Sequence, residues 1–158
     1  MERKKYYLTK EGLEKVKNEL EELNRQKIAL LDGSGPDSFR FGEIEAEFIT
    51  FQEDLGNLKK RIAELEDVLE NYEPIKAPLK KEQDSVHLGA EVTVEMDGTV
   101  EEFKIVGTIE SDPANQKISD QSPIGRALLG KKVGNEVKVT TPMVNHGCRI
   151  LKIKYGSN

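Results

Sequence analysis

The feature that most constrains this chain is a stripe of apolar residues: Ile44, Phe48, Phe51, Leu55, Leu58, Ile62, Leu65 and Leu69. Its steps alternate between four and three. That alternation keeps one apolar seam along one side of an α-helix, with Glu, Lys, Asp and Arg at the other positions, as in a coiled coil. A shorter stripe precedes it, at Leu13, Val16, Leu20 and Leu23, continued by Leu30 or Leu31 after polar Lys27. Neither stripe can be buried alone. Between them, Asp32-Gly-Ser-Gly-Pro-Asp-Ser38 carries two glycines and a proline, which break any helix. Two helices joined by a short breaker pack antiparallel, so residues 1–75 are expected to form a helical hairpin. At about 1.5 Å per residue the second helix spans roughly 40 Å, which predicts a projecting arm. Thr9 can cap the first helix, although Gly12 at the third following position leaves no full capping box.

Pro74 and Pro78 end the helical pattern and favour extended backbone, so residues 76–80 read as a linker. Residues 81–158 change period. Ala90–Met96 alternates apolar and polar, Asp97-Gly98 signals a tight turn, and Glu101–Gly107 reads as the returning strand. Glu136–Thr140 and Cys148–Tyr155 alternate likewise. Ser122-Pro-Ile-Gly-Arg-Ala-Leu-Leu129 reads as a short helix capped by Ser122, with Pro123 in its first position and Gly130 as its stop. The expected class is α+β: an antiparallel coiled-coil hairpin followed by an antiparallel sheet carrying one short helix.

Composition narrows the function classes. Of 158 residues, 34% are charged and 36% hydrophobic, which favours a two-part shape over one large core. Residues 1–75 hold 12 basic and 18 acidic side chains, and residues 76–158 hold 12 and 11. An acidic first half argues against free DNA as the partner and fits a basic protein surface or a metal ion. Aromatics are 6% with no Trp, too few for a broad base-stacking surface. The single Cys148 excludes an internal disulfide and a Cys-based zinc site, and His87 and His146 alone do not make a catalytic zinc site. Cys148 is expected to be buried and inert. No apolar run approaches the roughly 20 residues that cross a bilayer, and the first residues show no apolar signal core. The expectation is a soluble cytoplasmic protein without a membrane partner.

Several segments resemble the bacterial transcript cleavage factors of the GreA/GreB family. Leu8-Thr-Lys-Glu-Gly-Leu-Glu-Lys-Val16 resembles the family's opening segment, and Lys60-Arg-Ile-Ala-Glu-Leu-Glu66 its second-helix core. The most specific match runs from Ile105-Val-Gly107 through Ile118-Ser119 to Ser122-Pro-Ile-Gly-Arg-Ala-Leu-Leu-Gly-Lys131 and Gly134. The resemblance implies an FKBP-like second domain that binds bacterial RNA polymerase, with Ser122, Pro123, Arg126 and Lys131 as candidate contacts. It implies a coiled coil that enters the polymerase secondary channel. Acidic tip residues there help hold magnesium and position water while the polymerase cuts the 3′ end of backtracked nascent RNA. The factor is then an accessory to a shared site and no complete enzyme, binds no cofactor on its own, and is expected to be a monomer.

The tip departs from the family pattern Gly-Asp-Leu-x-Glu-Asn-Ala-Glu-Tyr. An ungapped match to Ile44-Glu-Ala-Glu-Phe48 puts Phe41 at the Asp position and Ile44 at the Glu position, and neither binds a cation. Asp37 and Glu43 become the candidate catalytic carboxylates, and Asp32, Asp37 and Glu43 the candidate magnesium ligands. The second reading within the family is a regulator or inhibitor that occupies the channel without cutting. A prolyl isomerase needs an apolar pocket lined by several aromatics, and residues 76–158 offer only Phe103 and Tyr155. A plain coiled-coil adaptor leaves the Ser122–Lys131 segment without a purpose. Phe48 and Phe51 are expected in the seam, Glu45 and Glu47 beside it, and Phe39 and Phe41 over the last turn.

Overall fold

The computed structural model describes residues 2–32, 44–140, 142–143 and 145–156. They form two compact units: Leu13–Asn71, and Glu2–Gly12 together with Tyr72–Asn158.

The first unit is the expected helical hairpin. Helix α1 spans Lys10–Leu31 and α2 spans Ile44–Glu70. They run antiparallel. The Arg61 guanidinium donates to Glu19 Oε1 at 2.8 Å, while Leu23 and Leu30 share a groove with Leu58 and Asp54. At the end of α2, Asn71 Nδ2 donates to Asp67 O at 3.0 Å and to Asp67 Oδ1 at 2.8 Å, sharing that carbonyl with the Asn71 backbone amide, which reaches it at 3.1 Å.

Burial along the seam is graded. Val16, Ile62, Leu65 and Val68 are buried, and Leu20, Leu23, Leu30, Phe51, Leu55, Leu58 and Leu69 are half-buried. Ile28, Leu31, Phe48 and Ile49 are 61, 55, 48 and 52% exposed. The expected core position of Phe48 is therefore corrected. A pair of helices covers chiefly the line where the two meet, and a wide aromatic ring overhangs that line. Val68, outside the stripe as read, is more deeply buried than Leu69, because the covered face of a helix is broader than a two-position seam.

In the second unit, β1 (Tyr6–Leu8) pairs in parallel with β2 (Tyr72–Pro74). The larger sheet has five strands: β3 (Ala90–Met96), β4 (Thr99–Val106), β5 (Lys117–Ser119), β6 (Glu136–Thr140) and β7 (Asn145–Tyr155). Their order is β5-β4-β3-β7-β6, antiparallel throughout except for β5, which runs parallel to β4. Asp97 and Gly98 join β3 to β4 with φ of 52° and 79°. Positive φ at both central residues makes the turn whose twist matches that of the strands.

One face of this sheet carries the core. Ala90, Val92, Val94, Ile105, Val137, Val139, Cys148 and Ile150 pack with Val86 and with Leu128 of α3 (Pro123–Leu128). The opposite face is charged, and unlike charges meet across strands: Glu91 is level with Lys104 and Lys154, and Arg149 with Glu95 and Glu136. The period of two in the sequence is this division of faces. Among the described residues, no helix is long and apolar enough to cross a membrane.

Candidate functional site

The Ser122–Lys131 segment folds into a tightly determined corner. Ser122 Oγ donates to Ser119 O at 2.7 Å and accepts from Gly125 N at 3.0 Å, capping α3. Ser119 Oγ accepts from Gln121 N at 3.0 Å, and Asp120 N donates to Val106 O at 2.9 Å, which ties the corner to the end of β4. Gly125 is buried against this turn, and a Cβ there would overlap the Ser119 carbonyl. The serine hydroxyl thus shapes the corner with both its donor and one of its acceptor positions.

What the corner presents outward is Pro123 and Arg126, both exposed and three residues apart on one helix face. Arg126 Nη2 reaches Gln121 Oε1 at 3.4 Å. Lys131 is exposed beyond the other end of α3, after Gly130 turns the chain with φ of 77°. Its carbonyl accepts from Val86 N at 2.9 Å. Ser122, Pro123 and Arg126 are therefore brought together at the start of α3, and Lys131 lies beyond its other end. Neighbouring Lys132 pairs with Asp84 at 3.2 Å. Hydrogen bonding from Lys132, and then from Ser85, holds the Asp84 carboxyl below its ordinary value.

Of the candidate arm-tip acids, Asp32 is exposed directly after α1, its amide donating to Ile28 O at 2.9 Å. Asp37 and Glu43 lie outside the described residues, as do Phe39 and Phe41. Glu47 is exposed on α2. Among the described residues, no three His, Cys, Asp or Glu side chains come together as a metal site. The histidines stand apart from such chemistry: His146 Nδ1 pairs with Asp97 Oδ2 at 2.6 Å, and His87 uses its backbone amide to bond Tyr155. Cys148 is buried, and burial pushes its thiol up.

Residues that the sequence reading passed over are Asp120 and Gln121, which complete the corner, and Glu110, which binds Thr9. Gly12 leaves the acid of a local capping box missing, but nothing in the sequence points to Glu110 as its source.

Residues 80–155 match the family described as transcription elongation factor, GreA/GreB, C-term. Over 156 residues the chain is 33% identical to transcription elongation factor GreA of Thermomicrobium roseum, covering 98% of this chain and all of that one. It is 40% identical over 143 residues to GreA of Thermotoga neapolitana, covering 88% and 90%. Among solved structures, the crystal structure of GreA factor homolog 1 (Gfh1) of Thermus thermophilus is 25% identical, covers 96% of this chain and 99% of that one, and aligns with a TM-score of 0.42.

Proposed function

The chain belongs to the GreA/GreB family of transcription elongation factors, and on that premise we propose that it binds bacterial RNA polymerase and stimulates cleavage of backtracked nascent RNA. The C-terminal unit docks through the corner that exposes Pro123 and Arg126, with Ser122 shaping it and Lys131 at its far end. The helical hairpin enters the secondary channel as a monomeric arm. Arrested complexes are rescued when the polymerase cuts the extruded RNA and regains a usable 3′ end.

The observation that carries this reading is the corner itself. The most family-specific segment of the sequence is built as a capped turn around buried Gly125, with Pro123 and Arg126 exposed on its outer side. A surface built that rigidly suits docking, because little ordering cost remains to be met on binding.

The factor contributes to a shared site. Asp32, Asp37 and Glu43 are the carboxylates that would hold magnesium there, since a hard cation prefers carboxylate oxygens, and the ion would stabilise developing charge on the phosphodiester.

A second reading is a polymerase regulator that occupies the channel without cutting. It is favoured by Phe41 and Ile44, apolar side chains where the family pattern has Asp and Glu. RNA cleavage by a backtracked cognate polymerase, with and without the protein, separates the two. Enhancement that disappears in Asp37→Ala plus Glu43→Ala supports the first. Binding without enhancement supports the second, and absence of binding overturns both.

A further inference from the structure

We infer that Thr9, Gly12 and Glu110 form a capping box split across the chain. Glu110 occupies the place of the acid missing at Gly12, and so makes the first turn of α1 depend on the folded sheet unit. The inference is independent of any role at the polymerase.

In a local capping box the cap hydroxyl accepts the amide of the third helical residue. The acidic side chain of that third residue accepts the cap residue's own amide. Half of this is present locally, for Gly12 N donates to Thr9 Oγ1 at 3.0 Å. The other half has no local source, because Gly12 has no side chain. Glu110 supplies it from the turn after β4, 101 residues along the chain: Thr9 N donates to Glu110 Oε2 at 2.8 Å, and the Thr9 hydroxyl donates to Glu110 Oε1.

The substitution is spatial as well as chemical. A Cβ placed on Gly12 would overlap the carboxyl carbon and Oε1 of Glu110, so the glutamate fills the volume that a side chain at position 12 would need. The backbone brings it there. Gly107 lies against the carbonyl of Tyr7, where a Cβ would collide, and Glu110 N closes a turn onto Gly107 O at 3.2 Å. Lys117 Nζ adds a second tie to the same helical turn through Glu11 at 3.5 Å. A carboxylate at this end of α1 also complements the helix dipole. Residues 2–12 accordingly cluster with the sheet unit, and the chain leaves that unit at Leu13, one turn into α1.

The test is a double-mutant cycle on the full chain, read by amide exchange at Thr9–Leu13 and by thermal unfolding. Glu110→Ala should speed exchange in this turn roughly tenfold, the scale of a lost cap with its hydrogen bonds. Gly12→Glu alone should also speed it, because two carboxylates compete for one volume. Combining the two should return exchange toward the native rate, since a glutamate at position 12 can then reach back to the Thr9 amide. In a Glu110→Gln background, which keeps the bulk, Gly12→Glu should remain harmful. Should Glu110→Ala not fold, recovery of folding in the double variant supports the inference equally. A double variant no better than Glu110→Ala, or effects that simply add, would overturn it.

Discussion

Gly125 packs against the carbonyl oxygen of Ser119 with no room between them for a side-chain carbon. This contact lets the first turn of α3 sit directly on the turn that precedes it. Gly125→Ala forces a buried backbone to move, and is expected to lower stability by about 1–3 kcal/mol, the cost of overpacking a well-filled site. Urea unfolding checks it. An unchanged midpoint would mean that the turn yields easily and that the corner is not rigid.

Ser122 sets the same corner by hydrogen bonding. Ser122→Ala removes the acceptor for Gly125 N and the donor to Ser119 O, with an expected loss of about 1–2 kcal/mol. Ser122→Thr keeps both bonds and should retain most of the stability. Arg126 is exposed, so Arg126→Ala should leave the unfolding midpoint within about 0.5 kcal/mol of the parent. In the proposed function it should weaken polymerase binding, which a competition assay can measure separately from folding.

Tyr155 joins the end of the sheet to the segment leading into it. Its hydroxyl donates to Ser85 O and accepts from His87 N at 2.9 Å. Tyr155→Phe leaves a part-buried carbonyl and a backbone amide without that partner, and should cost about 1–3 kcal/mol. Exchange of the His87 amide should rise more than that of amides within β3. A uniform rise would show that the hydroxyl acts on global stability and not as a local clamp.

A buried thiol and a half-buried hydroxyl give the fold an alkaline limit. Burial first, and then the charge of Glu101, pushes the Cys148 thiol above its ordinary 9.0. Burial first, and then Asp84, pushes the Tyr155 hydroxyl above its ordinary 10.0, against the opposing effect of the His87 amide. Both groups keep their protons in the folded chain at pH values where the unfolded chain has released them. Their contribution is therefore fully present below the unfolded values and is lost as pH rises through the folded ones. Unfolding free energy should hold steady from neutral pH to near 9 and then decline. In Cys148→Ala plus Tyr155→Phe the decline should be shallower, and an equal slope would remove these groups as its cause.

Where local chemistry decides structure, the sequence was legible. Strands Ala90–Met96 and Glu136–Thr140 coincide with the alternating runs, because side-chain period alone divides their faces. Asp97-Gly98 and the Ser122-Pro123 cap are equally local. The pairing of β1 with β2 was not legible, since three-residue strands carry no period. Nor was the parallel course of β5, nor the bond from Thr9 to Glu110, because these join residues far apart in sequence. Among the site residues, the corner could be read from its cap and stop signals. The arm-tip acids could not be ranked by spacing, because apolar Phe41 and Ile44 stand where the family pattern has its acids.

Gly56 offers a gain in stability where Gly125→Ala, Ser122→Ala and Tyr155→Phe offer losses. It lies in the interior of α2, twelve residues after the start at Ile44, and a Cβ there would meet nothing within 4 Å. Its φ is not in the left-handed region, so an L side chain fits without strain. Glycine in a helix interior costs about 0.5–1 kcal/mol relative to alanine, through the backbone freedom it loses on folding. Gly56→Ala should therefore stabilise the hairpin by about that amount and slow amide exchange along the middle of α2. If arm entry into the channel needs α2 to flex at this point, the same variant should bind polymerase more weakly despite its greater stability. If α2 acts as a stiff rod, binding should hold or improve, and measuring both quantities on one variant separates these mechanical roles.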